Sequence, residues 1–112
     1  MEAKELAKIC AEVAEDRQGI DVITIDIENQ ECSAIADYFV ICSGNSEPHV
    51  KALSDNIYRE LRNNHDIRPR KTEGNSSSGW VITDYISVVV HVLSKEKREL
   101  YDIESIWKTE KL

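Results

Sequence analysis

The stretch from Asp37 to Ser43 constrains the fold of this chain more than any other feature. Between these two residues lies an uninterrupted apolar run, Tyr-Phe-Val-Ile-Cys, and Gly44 follows Ser43. A strand with one solvated face alternates polar and apolar residues, whereas a strand covered on both faces is apolar throughout. The stretch therefore predicts a strand inside a sheet, with both of its faces covered.

Two further strands are separated by only two residues. They cover Trp80–Tyr85 and Val88–Leu93, and both are rich in β-branched side chains. Because only Ile86 and Ser87 lie between them, the pair is predicted to form a hairpin.

The other extended segments are shorter or more polar. Ile20–Ile27 is rich in β-branched residues and predicts a strand. Residues 67–72 are predicted as a short edge strand, because Pro69 cannot donate a hydrogen bond inside a sheet. The segment Glu73–Gly79 contains glycines and a run of serines, which predicts a mobile loop.

Apolar residues at helical spacing predict three helices. The first covers Ala3–Glu15. The second follows Ser46, a favoured cap residue, and continues to about Asn63. The third follows Ser94, and its apolar stripe consists of Leu100, Ile103, Ile106 and Trp107.

This order of elements predicts an α/β fold. The long helix after Ser43 permits a crossover, so we expect a mixed β-sheet flanked by helices. The 112 residues match the commonest domain size, and no linker or repeat divides them. We therefore expect a single domain over residues 1–112.

Charge and cysteine content limit the classes of partner. The formal net charge of −7 is poorly suited to free nucleic acid or an anionic membrane, and favours a basic protein as partner. Cys10, Cys32 and Cys42 are odd in number and widely spaced, which predicts reduced thiols and a cytoplasmic location.

The most enzyme-like feature is the turn Gly44-Asn45-Ser46 between a strand and a helix. Backbone amides at such a turn can bind phosphate, and a nucleotidyltransferase would add a carboxylate pair for metal. The pair with one intervening residue that lies at a predicted strand, Asp26 and Glu28, precedes the turn. A small metal-dependent nucleotidyltransferase is thus one hypothesis, and a plain turn with a helix cap is the favoured interpretation. We predict no catalytic residue, metal ligand or cofactor.

Aromatic residues concentrate in the C-terminal third of the chain, where both tryptophans lie. Trp and Tyr are favoured at binding hot spots. Trp80 begins a strand after the Ser/Gly segment, which suits a partly exposed anchor, whereas Trp107 on the apolar stripe suits the core. The basic cluster Arg68, Arg70 and Lys71 is interpreted as a solvated edge.

Several motifs occur together in an order that is specific to one family. They are Ala36–Ser46, His49-Val50, Glu73-Gly74, Trp80–Tyr85, Val88–Val92, Arg98–Tyr101 and Ile106-Trp107. Through them, nearly the whole chain resembles the ribosomal silencing factor family.

The resemblance implies a nucleotidyltransferase-like fold without the catalytic carboxylates. It also implies a translational repressor that binds the large ribosomal subunit through its basic protein numbered fourteen and sterically blocks joining of the small subunit. A homodimer is implied as well. The expected partner-binding residues are Trp80, Asp84, Tyr85 and Tyr101, with His91 as support. An RNA-binding ribosome assembly factor is a further alternative.

The hairpin tip departs from the family pattern. Family members usually have Gly followed by Asp there, whereas this chain has Ile86 and Ser87. A tight turn with positive φ would be strained at a β-branched residue. We therefore expect either another turn type or a wider loop.

Overall fold

The computed structural model describes residues 1–27 and 36–106. The helices are α1 (Ala3–Asp16), α2 (Glu47–His65) and α3 (Lys95–Tyr101), and the strands are β1 (Ile20–Asp26), β2 (Tyr38–Gly44), β3 (Lys71–Asn75), β4 (Trp80–Asp84) and β5 (Val88–Ser94). Two short 3-10 helices cover Ser76–Ser78 and Ile103–Ile106. Within the described ranges, no helix combines the length and the apolar character that crossing a bilayer requires.

The strands form one mixed sheet in the order β1-β2-β5-β4-β3. The central strands β2 and β5 are parallel, and every other neighbouring pair is antiparallel. The parallel pair is joined by a crossover through α2, β3 and β4, as the helix after Ser43 predicted. The prediction of a mixed α/β sheet flanked by helices is confirmed. Its nucleotidyltransferase-like detail and the single domain over 1–112 stay predictions.

The two faces of the sheet are covered unequally. Helices α1 and α2 cover one face and form the larger core cluster, which includes Leu6, Cys10, Val40, Cys42, Val50, Leu53, Ile57, Leu61, Val90 and Val92. The other face is covered by α3 and the second 3-10 helix, over a smaller cluster of Ile25, Ile27, Phe39, Ile41, Val89, Leu93 and Ile103. Every residue of β2 is buried, as its apolar run predicted.

The cysteines that the structure describes are free thiols in the larger cluster. Cys10 and Cys42 are both buried, and burial raises the pKa of each thiol to about 12. They act as small apolar side chains there. Cys32 lies outside the described residues.

Helix α2 begins where the sequence predicted. The Ser46 hydroxyl accepts the backbone N–H of His49 over 3.2 Å, and Pro48 lies in the first turn, where its missing N–H is not needed. The helix continues past Asn63 to His65. It ends because Asp66 adopts a left-handed conformation with φ of 53°.

The loop prediction for Glu73–Gly79 is wrong. Lys71–Asn75 pairs with β4 as an exposed edge strand, so β3 also begins later than the edge strand predicted over residues 67–72. A 3-10 turn follows, in which the Asn75 side chain accepts the N–H of Ser78 over 2.9 Å. Pairing with β4 orders this segment, whose polar composition alone does not indicate a strand.

The prediction of an apolar stripe after Ser94 is also wrong. The side chain of Ser94 does cap α3, but the helix ends at Tyr101, because Asp102 adopts a left-handed conformation with φ of 42°. The change of direction buries Ile103 and leaves Leu100 and Ile106 exposed at 71% and 70%. Trp107 lies outside the described residues.

The hairpin between β4 and β5 forms as predicted, with a strained residue at its tip. Ile86 has φ of 75°, and the N–H of Ser87 donates to the Tyr85 carbonyl over 3.0 Å. A bond across a single residue with that φ is the pattern of a γ-turn, which is rare and strained. The turn is therefore of another type, and Ile86 does take the positive φ that a β-branched residue disfavours.

Candidate functional site

Trp80 is the central residue of the candidate site. It is the first residue of β4, and its cross-strand partner is Leu93 of β5. Its ring is half-buried, with the Tyr101 ring centroid 5.0 Å away and the His91 ring centroid 6.1 Å away. The contact with Tyr101 joins the sheet to the end of α3.

His91 holds the indole from within the sheet. The Trp80 indole N–H donates to Nδ1 of His91 over 3.3 Å, so the neutral ring carries its proton on Nε2. Burial lowers the pKa of His91 to about 4. Its Nε2 has no hydrogen-bond partner among the described residues. At neutral pH His91 is therefore an uncharged support for Trp80 rather than a surface contact.

A shallow cavity of about 330 Å³ lies beside the two aromatic rings. We call it the aromatic cleft, and its lining residues are Glu73, Gly74, Ser78, Trp80, Ile82, Lys97 and Tyr101. The Lys97 ammonium lies 5.8 Å from the centroid of the Tyr101 ring, within cation–π range. Tyr101 is 49% exposed, so the cleft presents aromatic surface to solvent.

Asp84 lies on the same face of β4 as Trp80, beyond Ile82, and stabilises the hairpin tip. Its carboxylate accepts a hydrogen bond from Nη2 of Arg70 over 2.6 Å and another from the backbone N–H of Ile86 over 2.7 Å. Partial burial opposes ionisation, but these bonds and the charges of Arg70 and Lys71 outweigh it and hold the pKa of Asp84 below its usual range. Both carboxylate oxygens are thus engaged within the chain.

Tyr85 does not join the other predicted contact residues. It points to the opposite face of the sheet, into the larger core cluster under α1 and α2, and is only 5% exposed. Its hydroxyl has no partner among the described residues, and burial, with smaller contributions from Cys10 and Tyr58, raises its pKa well above the usual range. The alternation of strand faces separates it from Trp80 and Tyr101.

The family of the chain follows from comparison with known proteins. A family model described as "Ribosomal silencing factor during starvation" matches residues 1–112. The chain belongs to the ribosomal silencing factor family. Ribosomal silencing factor RsfS of Bacillus subtilis is 36% identical over 107 residues, which cover 96% of this chain and 88% of that protein.

Two further comparisons extend this family assignment. A crystal structure of a Chromobacterium violaceum protein superposes with a TM-score of 0.88 at 32% identity, and the match covers 100% of this chain and 91% of that one. A mouse protein named "Mitochondrial assembly of ribosomal large subunit protein 1" is 36% identical over 74 residues, covering 63% of this chain and 32% of that protein.

The enzyme-like residues of this silencing-factor chain are not brought together. Asp26 pairs with Tyr38 at the start of β2, whereas Gly44 ends the same strand, roughly 20 Å away at 3.3 Å per residue. Glu28 lies outside the described residues. Among the residues that the structure describes, no group of three His, Cys, Asp or Glu side chains could hold a metal ion.

The Gly44–Ser46 turn is occupied by the protein's own groups. The backbone N–H of Asn45 donates to Nδ1 of His49 over 2.9 Å, and Ser46 accepts the His49 amide. A side chain at Gly44 would meet the Val50 backbone nitrogen at 2.9 Å, so close packing against α2 accounts for the glycine. The interpretation as a turn with a helix cap explains each of these groups.

The basic cluster is neutralised by neighbouring carboxylates. Arg70 pairs with Asp84 at 2.6 Å and Lys71 with Glu73 at 2.6 Å, while Arg68 lies 3.4 Å from Asp66. The exposed pairs of Arg68 and Lys71 add little stability. They do reduce the positive field that an RNA-binding patch would need.

Arg98 is the structural residue near the site that sequence reasoning missed. It is 8% exposed, and its Nε donates to Oε1 of Glu104 over 2.9 Å. A charged residue in a short polar helix is normally solvated. The one available signal was its place in the motif Arg98–Tyr101, which gave no indication of burial.

Proposed function

We propose that this chain represses translation by binding the large ribosomal subunit through its basic protein numbered fourteen and sterically blocking joining of the small subunit. Family membership supports a silencing role, and the name of the mouse relative supports the large subunit. The observation that carries the proposal is the half-exposed pair of Trp80 and Tyr101 in the aromatic cleft. Such rings are favoured anchors in protein interfaces.

The charge of the chain favours a basic partner. The net charge is −7, and the exposed acidic residues Glu99 and Asp102 flank Tyr101. Opposite fields on two proteins raise the rate of encounter and suppress like-charged competitors. A basic ribosomal protein therefore suits this surface better than bare RNA, to which the paired cluster at Arg68, Arg70 and Lys71 offers little free positive charge.

Repression by occupancy requires no bond-making step. The bound chain needs only to remain on the joining face longer than a small subunit takes to arrive. Aromatic rings held by the sheet lose little conformational entropy on binding, which lowers the dissociation rate. The bond from Trp80 to His91 provides that preorganisation.

Co-sedimentation with isolated ribosomal subunits tests the proposal. We expect the chain to pellet with large but not small subunits, and Trp80→Ala to weaken this binding at least tenfold, about 1.4 kcal/mol. Tyr58→Ala is the matched control, because this half-buried ring lies on α2, over the other face of the sheet. Binding to neither subunit at low salt would overturn the proposal.

A second measurement separates blockade from mere attachment. Light scattering follows the joining of purified subunits, and the chain should slow it in proportion to its occupancy of the large subunit. Binding that leaves joining unchanged would contradict the steric mechanism. Tight, steeply salt-dependent binding to naked ribosomal RNA would instead favour an assembly factor.

Three related expectations stay predictions. They are a single domain, a cytoplasmic location with the ribosomes, and a homodimer. Sedimentation velocity over a range of concentrations tests the homodimer, and its repetition with Trp80→Ala shows whether the aromatic cleft contributes to self-association.

A further inference from the structure

We infer that Arg98 is a positioning residue of the aromatic cleft, which fixes α3 to the sheet and thereby holds Tyr101 against Trp80. The inference rests on the proposed function, because it assigns the arrangement of the surface that would bind the ribosome. Arg98 itself does not line the cleft. It acts through the helix that presents Tyr101.

The first observation is that α3 is anchored by a charged side chain. Arg98 is the one buried residue of this helix, all of which the structure describes. Leu100 and Tyr101 are exposed, so apolar burial contributes little to attachment of the helix. A seven-residue helix is far too short to be stable alone and depends on its tertiary contacts.

The second observation is that the Arg98 guanidinium donates hydrogen bonds to three other elements of the fold. Nε and Nη2 donate to the two carboxylate oxygens of Glu104 over 2.9 and 3.1 Å. Nη1 donates to the Ile20 carbonyl over 2.9 Å and to the Ser43 hydroxyl over 3.2 Å. One side chain thus joins α3 to β1, to β2 and to the 3-10 helix that follows. The planar fork of Arg fits this arrangement, whereas the ammonium of Lys does not.

The third observation is the short path from Arg98 to the cleft. Tyr101 lies one helical turn after Arg98, and the Arg98 carbonyl accepts the N–H of Asp102 over 2.9 Å, which closes the helix directly after Tyr101. The ring of Tyr101 is half exposed and is located by Trp80 and Lys97 rather than by surrounding core. A tilt of α3 about its anchor would therefore move Tyr101 away from Trp80.

A purely stabilising role for the same ion pair must be separated from a positioning role. Loss of one partner of a buried pair is destabilising whatever the helix presents. A purely stabilising role predicts that loss of the pair lowers the free energy of unfolding by the same amount with and without Tyr101. A positioning effect disappears once Tyr101 has been removed, because the two substitutions then act on one interaction.

The test is a double-mutant cycle on large-subunit affinity. We expect Arg98→Lys to weaken binding about fivefold and Tyr101→Ala about tenfold, and the double variant to stay within about twofold of Tyr101→Ala alone. Arg62→Lys, at an exposed position of α2, is the matched control and should bind as the unaltered protein does. Equal fivefold losses with and without Tyr101, or no loss from Arg98→Lys, would overturn the inference.

Fluorescence gives a readout that does not need the ribosome. In a Trp107→Phe background Trp80 is the only tryptophan. Arg98→Lys should increase acrylamide quenching of Trp80, and Tyr101→Ala should increase it by the same amount. The double variant should show no further increase. Unchanged quenching in folded Arg98→Lys would overturn the inference. If Arg98→Lys does not fold, Glu104→Gln removes the charge of the pair and must give the same pattern.

The two measurements separate failure of the inference from failure of the proposed function. An unaltered chain that binds neither subunit overturns the proposed function alone, and quenching still decides the role of Arg98. An unaltered chain that binds the large subunit while the cycle is additive overturns the role of Arg98 alone.

Discussion

The indole N–H of Trp80 donates to Nδ1 of His91 over 3.3 Å, a bond that exists only while Nδ1 carries no proton. The position of the exposed aromatic surface is thereby linked to the charge state of a buried side chain. Since burial lowers the pKa of His91 to about 4, the bond persists across the neutral range. Acid therefore affects this hydrogen bond by lowering the stability of the folded protein.

Stability should fall as the pH falls below about 6.5. Unfolded His91 binds a proton near pH 6.5, whereas the folded protein resists it until about pH 4. Between these values the unfolded state binds more protons, so this group alone costs about 2 kcal/mol by pH 5 and about 3 kcal/mol in full. Urea unfolding at pH 7, 6 and 5 measures the loss. His91→Gln, which cannot titrate, should flatten the dependence, and an equally steep curve would contradict this assignment.

Tyr85→Phe should leave binding unchanged and stabilise the fold by about 1 kcal/mol. The Tyr85 hydroxyl is buried without a described partner, so its removal relieves a desolvation cost. Urea unfolding and subunit affinity are measured together, with Tyr58→Phe as the control. Lower stability would show that the hydroxyl has a partner, and lower affinity would return Tyr85 to the contact surface.

Ile86→Gly should stabilise the fold by about 1 kcal/mol. Glycine takes positive φ without a steric cost, and this gain exceeds the cost of the additional conformational entropy that glycine loses on folding. Ile86 is 63% exposed, so little packing is lost. Ile86→Val keeps the β-branch and should show no gain. Equal unfolding midpoints for all three proteins would mean that the strain is relieved elsewhere in the turn.

Gly44→Ala should destabilise the fold by about 1–3 kcal/mol. The added methyl group would meet the Val50 nitrogen and Cγ2 at 2.9 Å, and the turn must shift away from α2. Lys51→Ala, at an exposed position of the same helix, is the control.

The unaltered protein should give no saturable calorimetric heat with ATP and Mg²⁺. Such heat, abolished by Ser46→Ala, would support the nucleotidyltransferase hypothesis.

The parts of the fold that the sequence predicted are those in which side-chain pattern and burial agree. The apolar run of β2 is buried along its whole length, and the Ser46 cap begins α2. The hairpin of β4 and β5 formed because two residues can connect only antiparallel neighbours. Each of these depends on local chemistry, which a single sequence shows directly.

The errors arose where pairing or chain direction overrides local pattern. β3 is polar, each of its residues is exposed, and only its pairing with β4 makes it a strand. The stripe after Ser94 failed because a left-handed Asp102 redirects the chain. At the site, Trp80 and Tyr101 do meet, but Tyr85 lies on the opposite face, and the burial of Arg98 depends on β1 and β2, far away in sequence.

The parallel pairing of β2 with β5 has a consequence for synthesis of the chain. β5 is made after the other strands of the described sheet, so β2 has no partner on that side while the intervening α2, β3 and β4 are being translated. Non-local pairs of this kind form late and slowly. Until that strand and α3 have emerged from the ribosome, Trp80 can neither bond to His91 nor contact Tyr101. A nascent chain thus lacks the surface proposed to bind ribosomes until β5 and α3 have been made and have folded onto the sheet.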